Sequence, residues 1–348
     1  MKPAGVPTTI DWSGLGDAEL MRLRFRELGL DLESSSLRSL VDQVRGELRD
    51  RGLELDPRIY FGDEWFSPEG EVAVAVPFYL AHPRLVSLER AQLLEAEGES
   101  PEMFLKLLRH ELGHCFDHAF RVSRRPRWKK IFGPPDLEYE PENYRPRPYS
   151  HSYVRHLPNW YAQAHPDEDF AETFAVWLDP SSRWAETYRR WPVALAKLRY
   201  VDELAREFRA KPAPAASARL PYDVSRMSST LDSHYRKRRR ENAQDRPDFF
   251  DPDLRRVFHG TASKRSPRSA ARFLRSRRDE IVDSVHEWTK ERKFVVAQLL
   301  RRVEKRCEEL GLGLADDDDE TLAGLRVSAF VSATVLNFLF TGRFKRSY

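Results

Sequence analysis

Cysteine is scarce in this chain of 348 residues, which contains only Cys115 and Cys307. Two cysteines so far apart in sequence cannot build a disulfide framework or a thiolate zinc site, so a reducing cytoplasm is the expected compartment. Cys115 directly follows a histidine, and we expect it to pack as a small apolar residue. The alternative is a nucleophilic thiol at that position.

Long apolar runs and targeting signals are also lacking. The start, MKPAGVPTTIDWSG, has neither the charged beginning nor the apolar run of a signal peptide. The most apolar late stretch, residues 322–340, is interrupted by Arg326 and Asn337. This pattern predicts a buried helix and no membrane span.

The net charge of +3 is small but unevenly distributed. Residues 1–210 hold 29 Lys and Arg against 35 Asp and Glu, whereas residues 211–348 hold 29 against 20. Alanine, proline and serine dominate the stretch 209–223 between them. We therefore predict a domain at 1–210, a linker or surface excursion at 211–250, and a helical basic region at 251–348.

The first region shows the patterns of an α+β domain. Two short runs at 58–66 and 72–80 are rich in β-branched and aromatic residues and flank a turn at SPEGE, which predicts a hairpin or small antiparallel sheet. Ser100 and Pro101 are typical of a helix start, and so are His165 and Pro166. We expect helices at 100–120 and 165–179, and a final helix at about 320–340.

The stretch LLRHELGHCF carries the strongest chemical signal. On a helix, His110 and His114 lie one turn apart on the same face, so both imidazoles can bind one zinc ion. Glu111 is the residue that a hydrolase would use to take a proton from water. Gly113 is unfavourable in a helix, which indicates close approach by another segment. The alternative is a charged surface helix that matches this pattern by chance.

A catalytic zinc needs a third protein ligand. His118 lies about 12 Å along the helix axis from His110, which is too far for the two residues to share one ion. We therefore expect His118 to be a polar helix residue or a hydrogen-bond partner of a ligand. The better source is EDFAE, where Glu168 and Glu172 share a helix face. We predict Glu168 as the ligand and Glu172 as the carboxylate that orients a ligand histidine. Glu172 is the main alternative for the third ligand.

HELGH, followed some fifty residues later by HPDEDFAETFAVWL, resembles the gluzincin class of zinc metallopeptidases. More narrowly, the chain resembles the putative zinc-binding metallopeptidases of bacteria, and its E-x-F-A-E element is similar to that of the anthrax lethal factor catalytic domain. VPFYLAHPRLVSLE and HLPNWYAQAHPDEDFAE are similar to the same bacterial group. The resemblance covers roughly residues 55–185 and implies a zincin-like fold.

The resemblance also implies roles for individual residues. It implies that His110, His114 and Glu168 are the zinc ligands and that Glu111 is the general base. It also implies that the Glu172 carboxylate hydrogen-bonds to a ligand histidine and orients it. Lethal factor has a tyrosine seven residues before its ligand glutamate, and Tyr161 occupies that position here. Its phenol could donate to an oxyanion, or its ring could simply pack beside Trp160. Weaker candidates are Tyr153, His151 and His156. The chain departs from the bacterial family by lacking a cysteine zinc ribbon and by its basic extension.

These observations predict a zinc-dependent metallopeptidase that acts on a peptide or protein substrate. The alternative is a nucleic-acid-binding or regulatory protein with a vestigial metal site, because YRKRRR at 235–240 and the arginine-rich helices after 265 could neutralise phosphates. A third interpretation is a metal-binding interaction module without turnover. The sequence does not indicate an oligomeric state.

Overall fold

The computed structural model describes residues 11–93, 96–138, 146–147, 149–217, 220–242, 251–263, 266–315 and 318–341. The secondary structure is mostly helical with two small sheets, which confirms the α+β class. The α-helices, in chain order, are α1 Asp17–Leu20, α2 Arg38–Asp50, α3 Pro83–Leu93, α4 Pro101–Phe120, α5 Pro126–Phe132, α6 Pro166–Leu178, α7 Trp184–Thr187, α8 Pro192–Glu207, α9 Leu231–Asn242, α10 Asp251–Val257, α11 Ala270–Ser276, α12 Arg278–Thr289, α13 Lys293–Glu309 and α14 Glu320–Thr341. The strands are β1 Arg58–Gly62, β2 Ala73–Pro77, β3 Gly260–Thr261 and β4 Leu312–Gly313. Short 3-10 helices span Phe25–Glu27, Phe78–Ala81, Val122–Arg124 and Pro158–Gln163.

Two compact units make up the chain. The first comprises Met1–Gln92, Ala96–Pro141 and Arg147–Lys237, and the second comprises Leu93–Glu95, Glu142–Pro146 and Arg238–Tyr348. Residues 211–237, part of the segment predicted as a linker or surface excursion, are grouped with the first unit. The reason is that this segment supplies sparse but well-buried side chains, including Leu231 and Tyr235, each fully buried. The backbone amide of Leu231 also donates to the carbonyl of Leu23.

The sheet of the first unit corrects the predicted antiparallel pairing. β1 and β2 are parallel, with Tyr60 opposite Ala75. On the antiparallel side, β2 forms only an isolated bridge among the described residues, between Phe66 and Ala75. The SPEGE turn does reverse the chain, but it joins Phe66 to β2, while β1 runs along the other edge of β2. The predicted turn at SPEGE is therefore present, but the segment it pairs with β2 is the one at Phe66 and not β1.

α4 and α6 begin where the sequence predicts. The Ser100 side chain accepts a hydrogen bond from the backbone amide of Met103 at 3.2 Å, and Pro101 follows as the first helical residue. His165 caps α6 in the same way by accepting from the backbone amide of Asp167. Both helices therefore begin at defined residues.

The two helices pack against each other over buried aromatic side chains. Phe116 of α4 lies 5.2 Å from Phe174 of α6, measured between ring centroids, and Phe170 of α6 lies 5.9 Å from Trp128 of α5. Each of these four side chains is at most 1% exposed. Burial of a large apolar side chain contributes about 1.5–3 kcal/mol, so this core holds α4, α5 and α6 together firmly.

The second unit has its own apolar core, formed by α10 to α14 with β3 and β4, which form an antiparallel pair. α14 confirms the predicted final helix and buries Ala323, Val327, Val331 and Val335 on one face. Across the described part of the chain, no helix combines the length and apolarity needed to cross a membrane.

Candidate metal centre

Three potential ligand atoms converge between α4 and α6. His110 Nε2 lies 3.0 Å from Glu168 Oε2, His114 Nε2 lies 3.4 Å from the same oxygen, and the two Nε2 atoms are 3.2 Å apart. A tetrahedral ion with bonds of 2.0–2.1 Å requires ligand atoms about 3.3–3.4 Å apart. The triangle therefore has nearly the size of one face of such a tetrahedron, and this His-His-Glu group could hold a metal ion.

The chemistry of the three atoms also fits a cation. Glu168 Oε2 is buried, and no residue described in the structure hydrogen-bonds to it with acceptable geometry. Two imidazole nitrogens face the same point as this oxygen, and nitrogen with carboxylate oxygen is a ligand set that zinc accepts. The residues present thus fit zinc, the metal that the sequence predicted.

Local folding explains why these side chains meet. His110 and His114 are one helical turn apart on the face of α4 that contacts α6. Glu168 lies in the first turn of α6, where the helix dipole favours a negative charge. Between them, Gly113 faces Ala171 so closely that a Cβ on Gly113 would lie 2.6 Å from the Cα of Ala171. The absent side chain at Gly113 lets the two helices approach closely, as the sequence indicated.

Glu172 lies directly behind His110. Its Oε1 accepts a hydrogen bond from His110 Nδ1 at 2.9 Å, and its Oε2 accepts from the backbone amide of Leu157 at 2.9 Å. Glu172 is fully buried. Because Nδ1 donates to this carboxylate, the lone pair of Nε2 is directed towards His114 and Glu168. The structure therefore places Glu168 inside the triangle and Glu172 behind it.

The charges of the metal-free protein are strongly coupled. Burial opposes charge on His110, but Glu168 and Glu172 outweigh it and raise the pKa of His110 well above its usual value. The pKa of His114 is also raised, since Glu168 outweighs burial there. Burial acts against the charge of Glu168 too, yet His114 and His110 hold its pKa well below the usual range. In the metal-free protein, the two imidazoles and the Glu168 carboxylate therefore favour each other's charged forms.

Glu111 is 6% exposed, and its Oε2 atom has no hydrogen-bond partner among the described residues. Burial raises the pKa of Glu111, although His110 and His114 act in the opposite direction. A buried carboxylate with a free oxygen is unusual, because such groups are normally satisfied. This oxygen is chemically suited to accept a proton.

Tyr161 lies beside His110, with ring centroids 5.7 Å apart. It belongs to the 3-10 helix Pro158–Gln163, which leads into α6. The ring of the preceding residue, Trp160, contacts Tyr149 instead. The position of Tyr161 is compatible both with donation to a substrate oxygen and with packing against the histidine.

The remaining candidates make contacts of their own. His118 donates from Nδ1 to the Glu71 carbonyl at 3.1 Å, and His156 donates from Nε2 to the Lys106 carbonyl at 2.9 Å. His151 stacks on Trp191, and the Tyr153 ring lies 4.0 Å from Lys197 Nζ. None of these four belongs to the His-His-Glu group found among the described residues.

Cys115 is fully buried, and its thiol donates to the Ala73 carbonyl at 3.3 Å. Burial raises the pKa of the Cys115 thiol to about 12. Because the thiolate is the nucleophilic form, this environment does not favour a reactive cysteine. The expectation of a small packed residue agrees with this environment.

Two buried ion pairs beside the centre were missed in the sequence. Arg109, directly before His110, binds Glu47 of α2 through two hydrogen bonds of 2.7 and 2.8 Å. Asp169, directly after Glu168, binds Lys197 of α8 at 2.6 Å. In the sequence, each pair shows only a charged residue next to a proposed ligand, Arg109 or Asp169. Such a residue does not identify its distant partner, Glu47 or Lys197.

The comparisons with known proteins bear on this centre directly. No curated protein and no solved structure matches the chain. A family model does match, and its residues include α4 with His110 and His114 as well as α6 with Glu168. The matched range begins later than the predicted resemblance and extends further, into α9. Residues 87–238 thus match the zinc-binding family described as "Putative zinc-binding metallo-peptidase", which confirms the family resemblance seen in the sequence.

Proposed function

We propose that this protein is a zinc-dependent metallopeptidase of the gluzincin type, with a zincin-like catalytic domain that hydrolyses peptide bonds. The observation that carries the proposal is the triangle of ligand atoms of His110, His114 and Glu168, together with the neighbouring Glu111, whose Oε2 has no hydrogen-bond partner among the described residues. The family match over residues 87–238 supports the same chemistry.

The three triangle residues would hold zinc, with His110 and His114 as nitrogen ligands and Glu168 as oxygen ligand. When bound, zinc lowers the pKa of a coordinated water and polarises a substrate carbonyl. Glu172 would keep His110 in the tautomer that presents Nε2, through the 2.9 Å hydrogen bond to Nδ1. The backbone amide of Leu157 holds Glu172 in place from the other side.

Glu111 would take a proton from the attacking water on its partnerless oxygen and return it to the leaving amine. Its burial and raised pKa suit a group that alternates between the two protonation states. Tyr161 would donate from its phenol to the oxygen of the scissile carbonyl as negative charge develops there. Its ring contact with His110, with centroids 5.7 Å apart, supports this role.

The nucleic-acid alternative concerns the arginine-rich helices of the second unit, where several arginines form ion pairs. Arg275 and Arg278 both pair with Glu304, and Arg306 pairs with Asp251 at 2.7 Å. Arginines engaged by carboxylates in this way are poorly placed to neutralise phosphates. Residues 239 and 240 of the YRKRRR run have no described side chains.

Metal content of the purified protein tests the ligand assignment. After dialysis, elemental analysis should find near-stoichiometric zinc in the wild type, little in Glu168→Ala and most of it in Glu172→Ala. Glu102→Ala is the matched control, because this glutamate of α4 is 81% exposed. Retention in Glu168→Ala with loss in Glu172→Ala would transfer the ligand role to Glu172, and a zinc-free wild type after reconstitution would refute the proposal.

Turnover requires a separate measurement. Glu111→Gln should keep its zinc while losing about 10²–10⁴-fold in the rate of peptide cleavage, the usual contribution of general acid–base catalysis. Cleavage of a peptide library by the zinc-loaded wild type, measured by mass spectrometry, provides the reference. Zinc binding without any cleavage by the wild type would instead favour a non-catalytic metal-binding module.

A further inference from the structure

Two aromatic side chains form a small platform, and one of them directly precedes Tyr161 in the sequence. Tyr149 and Trp160 contact each other edge to face, with ring centroids 5.7 Å apart. Tyr149 is 71% exposed, one of the few large aromatic side chains that the described residues leave open to solvent. We call these two residues the aromatic platform. Neither has been given a role above, and Tyr149 remains exposed despite its contact with Trp160.

The backbone of both residues adopts an unusual conformation. Tyr149 has φ of 61° and Trp160 has φ of 53°, so both adopt the left-handed conformation that bulky residues avoid. Backbone strain of this kind is concentrated at functional sites, where surrounding structure maintains it. Tyr149 and Trp160 combine this strain with a contact between their rings, which is the reason to consider them as a functional pair.

The side chain of Gln163 fastens the two segments together. Its Oε1 accepts from the Arg147 backbone amide at 2.8 Å, and its Nε2 donates to the Arg147 carbonyl at 3.1 Å. Gln163 belongs to the same 3-10 helix as Trp160, and Arg147 lies two residues before Tyr149. One side chain therefore ties the segment that carries Tyr149 to the segment that carries Trp160, which reduces the freedom that binding would have to remove.

Trp160 is connected to the proposed catalytic centre through the chain. Trp160 directly precedes Tyr161, whose ring is 5.7 Å from His110, and adjacent Cα atoms are about 3.8 Å apart. The same segment supplies the Leu157 amide that binds Glu172. A peptide positioned for cleavage would therefore have a residue near the scissile bond within reach of these rings.

The surrounding charge indicates which side chain fits. The guanidinium of Arg155 lies 5.6 Å from the Tyr149 ring and 4.8 Å from the Trp191 ring. A lysine or arginine of a substrate would be repelled by this cation, whereas an uncharged ring or branched aliphatic side chain would gain aromatic contact.

We propose that Tyr149 and Trp160 form a substrate subsite that binds a large, uncharged apolar side chain close to the scissile bond. This inference rests on the proposed peptidase function for its consequence in catalysis, but the binding itself does not require turnover. The two can therefore be tested separately.

Cleavage specificity is the first test. Quenched fluorescent peptides that differ at one position next to the cleaved bond, with Phe, Leu, Ala or Lys, would be compared for kcat/KM. The variants are Tyr149→Asn and Trp160→Asn, because asparagine tolerates the left-handed backbone and removes only the ring. We expect each variant to lose about tenfold or more of the preference for Phe over Ala, with zinc content unchanged. Trp288→Ala is the matched control, since this tryptophan of the second unit is 77% exposed.

Binding separates the two proposals. Fluorescence polarisation with labelled Phe and Ala peptides would be measured on zinc-loaded Glu111→Gln, with and without Tyr149→Asn. Tighter binding of the Phe peptide that disappears with Tyr149→Asn supports the subsite even if the wild type cleaves nothing, an outcome that would refute only the peptidase proposal. A wild type that cleaves peptides, with a preference for Phe that survives in both platform variants, would overturn the subsite and leave the peptidase proposal intact. Equal binding of both peptides, or a stronger preference for Lys, would also overturn it.

Discussion

Gly113 of α4 and Ala171 of α6 are in direct backbone contact, and a Cβ on Gly113 would lie 2.6 Å from the Cα of Ala171 and 3.2 Å from its Cβ. The contact lies between the two proposed histidine ligands on one helix and the proposed glutamate ligand on the other. The distance between α4 and α6 at this point therefore controls whether three atoms can share one ion. The lack of a side chain at Gly113 therefore determines how closely the three proposed ligands can approach one another.

Gly113→Ala should separate the helices. The new methyl group would clash with backbone, which cannot rotate away, so α4 and α6 must shift. We expect the free energy of unfolding of the metal-free protein to fall by about 1–3 kcal/mol, because this overpacking outweighs the helix propensity that alanine adds. Zinc affinity should fall at least about tenfold. Urea denaturation and competition with a chromogenic chelator would measure the two effects.

Gly46→Ala is the matched control for that substitution. Gly46 also lies inside a helix, α2, but a Cβ there would meet only the end of the Arg49 side chain at 3.9 Å. This variant should be more stable than the wild type by up to about 1 kcal/mol and keep its zinc affinity. Equal effects of the two substitutions would show that the helix contact at Gly113 has no special importance.

Features with a local physical cause could be predicted from the sequence. The caps at Ser100 and His165 depend on residues within three positions of the helix start, and the facing of His110 and His114 depends on helix periodicity alone. Gly113 was recognisable because glycine is unfavourable inside a helix unless another segment comes close. Each of these predictions used information contained within one turn of helix.

Features that depend on a distant partner could not be predicted in this way. The apolar patterns of β1 and β2 specify strands, but they do not distinguish a parallel from an antiparallel neighbour, and the turn between them suggested the wrong one. Arg109 binds Glu47, which is 62 residues away, and neither position differs from an ordinary charged helix residue in sequence. The buried ion pairs around the centre follow only from the tertiary packing of the helices.

Glu172→Gln should weaken zinc binding without unfolding the protein. The two carboxylate oxygens of Glu172 accept from two donors, His110 Nδ1 and the Leu157 amide, at 2.9 Å each. Glutamine has only one acceptor oxygen, so one donor must face an NH₂ group. Because such partners orient the ligand histidine, we expect zinc affinity to fall about 10–100-fold. Competition with a chelator measures it, and Glu102→Gln on the exposed side of α4 serves as control. Unchanged affinity in Glu172→Gln would contradict the proposed support of His110.

Zinc affinity should also depend on pH in a defined direction. A histidine must lose its proton to bind zinc, and the pKa of His110 in the metal-free protein is raised well above 6.5 because Glu168 and Glu172 outweigh burial. Zinc must therefore displace a proton that His110 holds more tightly than a free histidine does. We expect zinc affinity to rise with pH, by up to about tenfold for each pH unit and each proton displaced. Calorimetry in buffers of different ionisation enthalpy should detect at least one released proton, and a flat pH profile would count against this coupling.

The buried pair of Asp169 and Lys197 should be important for stability. Lys197 Nζ lies 2.6 Å from Asp169 Oδ2 and 2.8 Å from the Ser152 carbonyl, and both side chains are at most 5% exposed. Lys197→Met leaves a buried carboxylate without its cation, so the free energy of unfolding should fall by about 3–5 kcal/mol. Adding Asp169→Asn removes the orphaned charge and should recover at least half of that loss. In Arg206→Met, which breaks an exposed pair on the same helix, the change should stay below about 1 kcal/mol. If urea denaturation finds Lys197→Met as mild as Arg206→Met, the Asp169–Lys197 contact contributes little to the packing of α8 against α6.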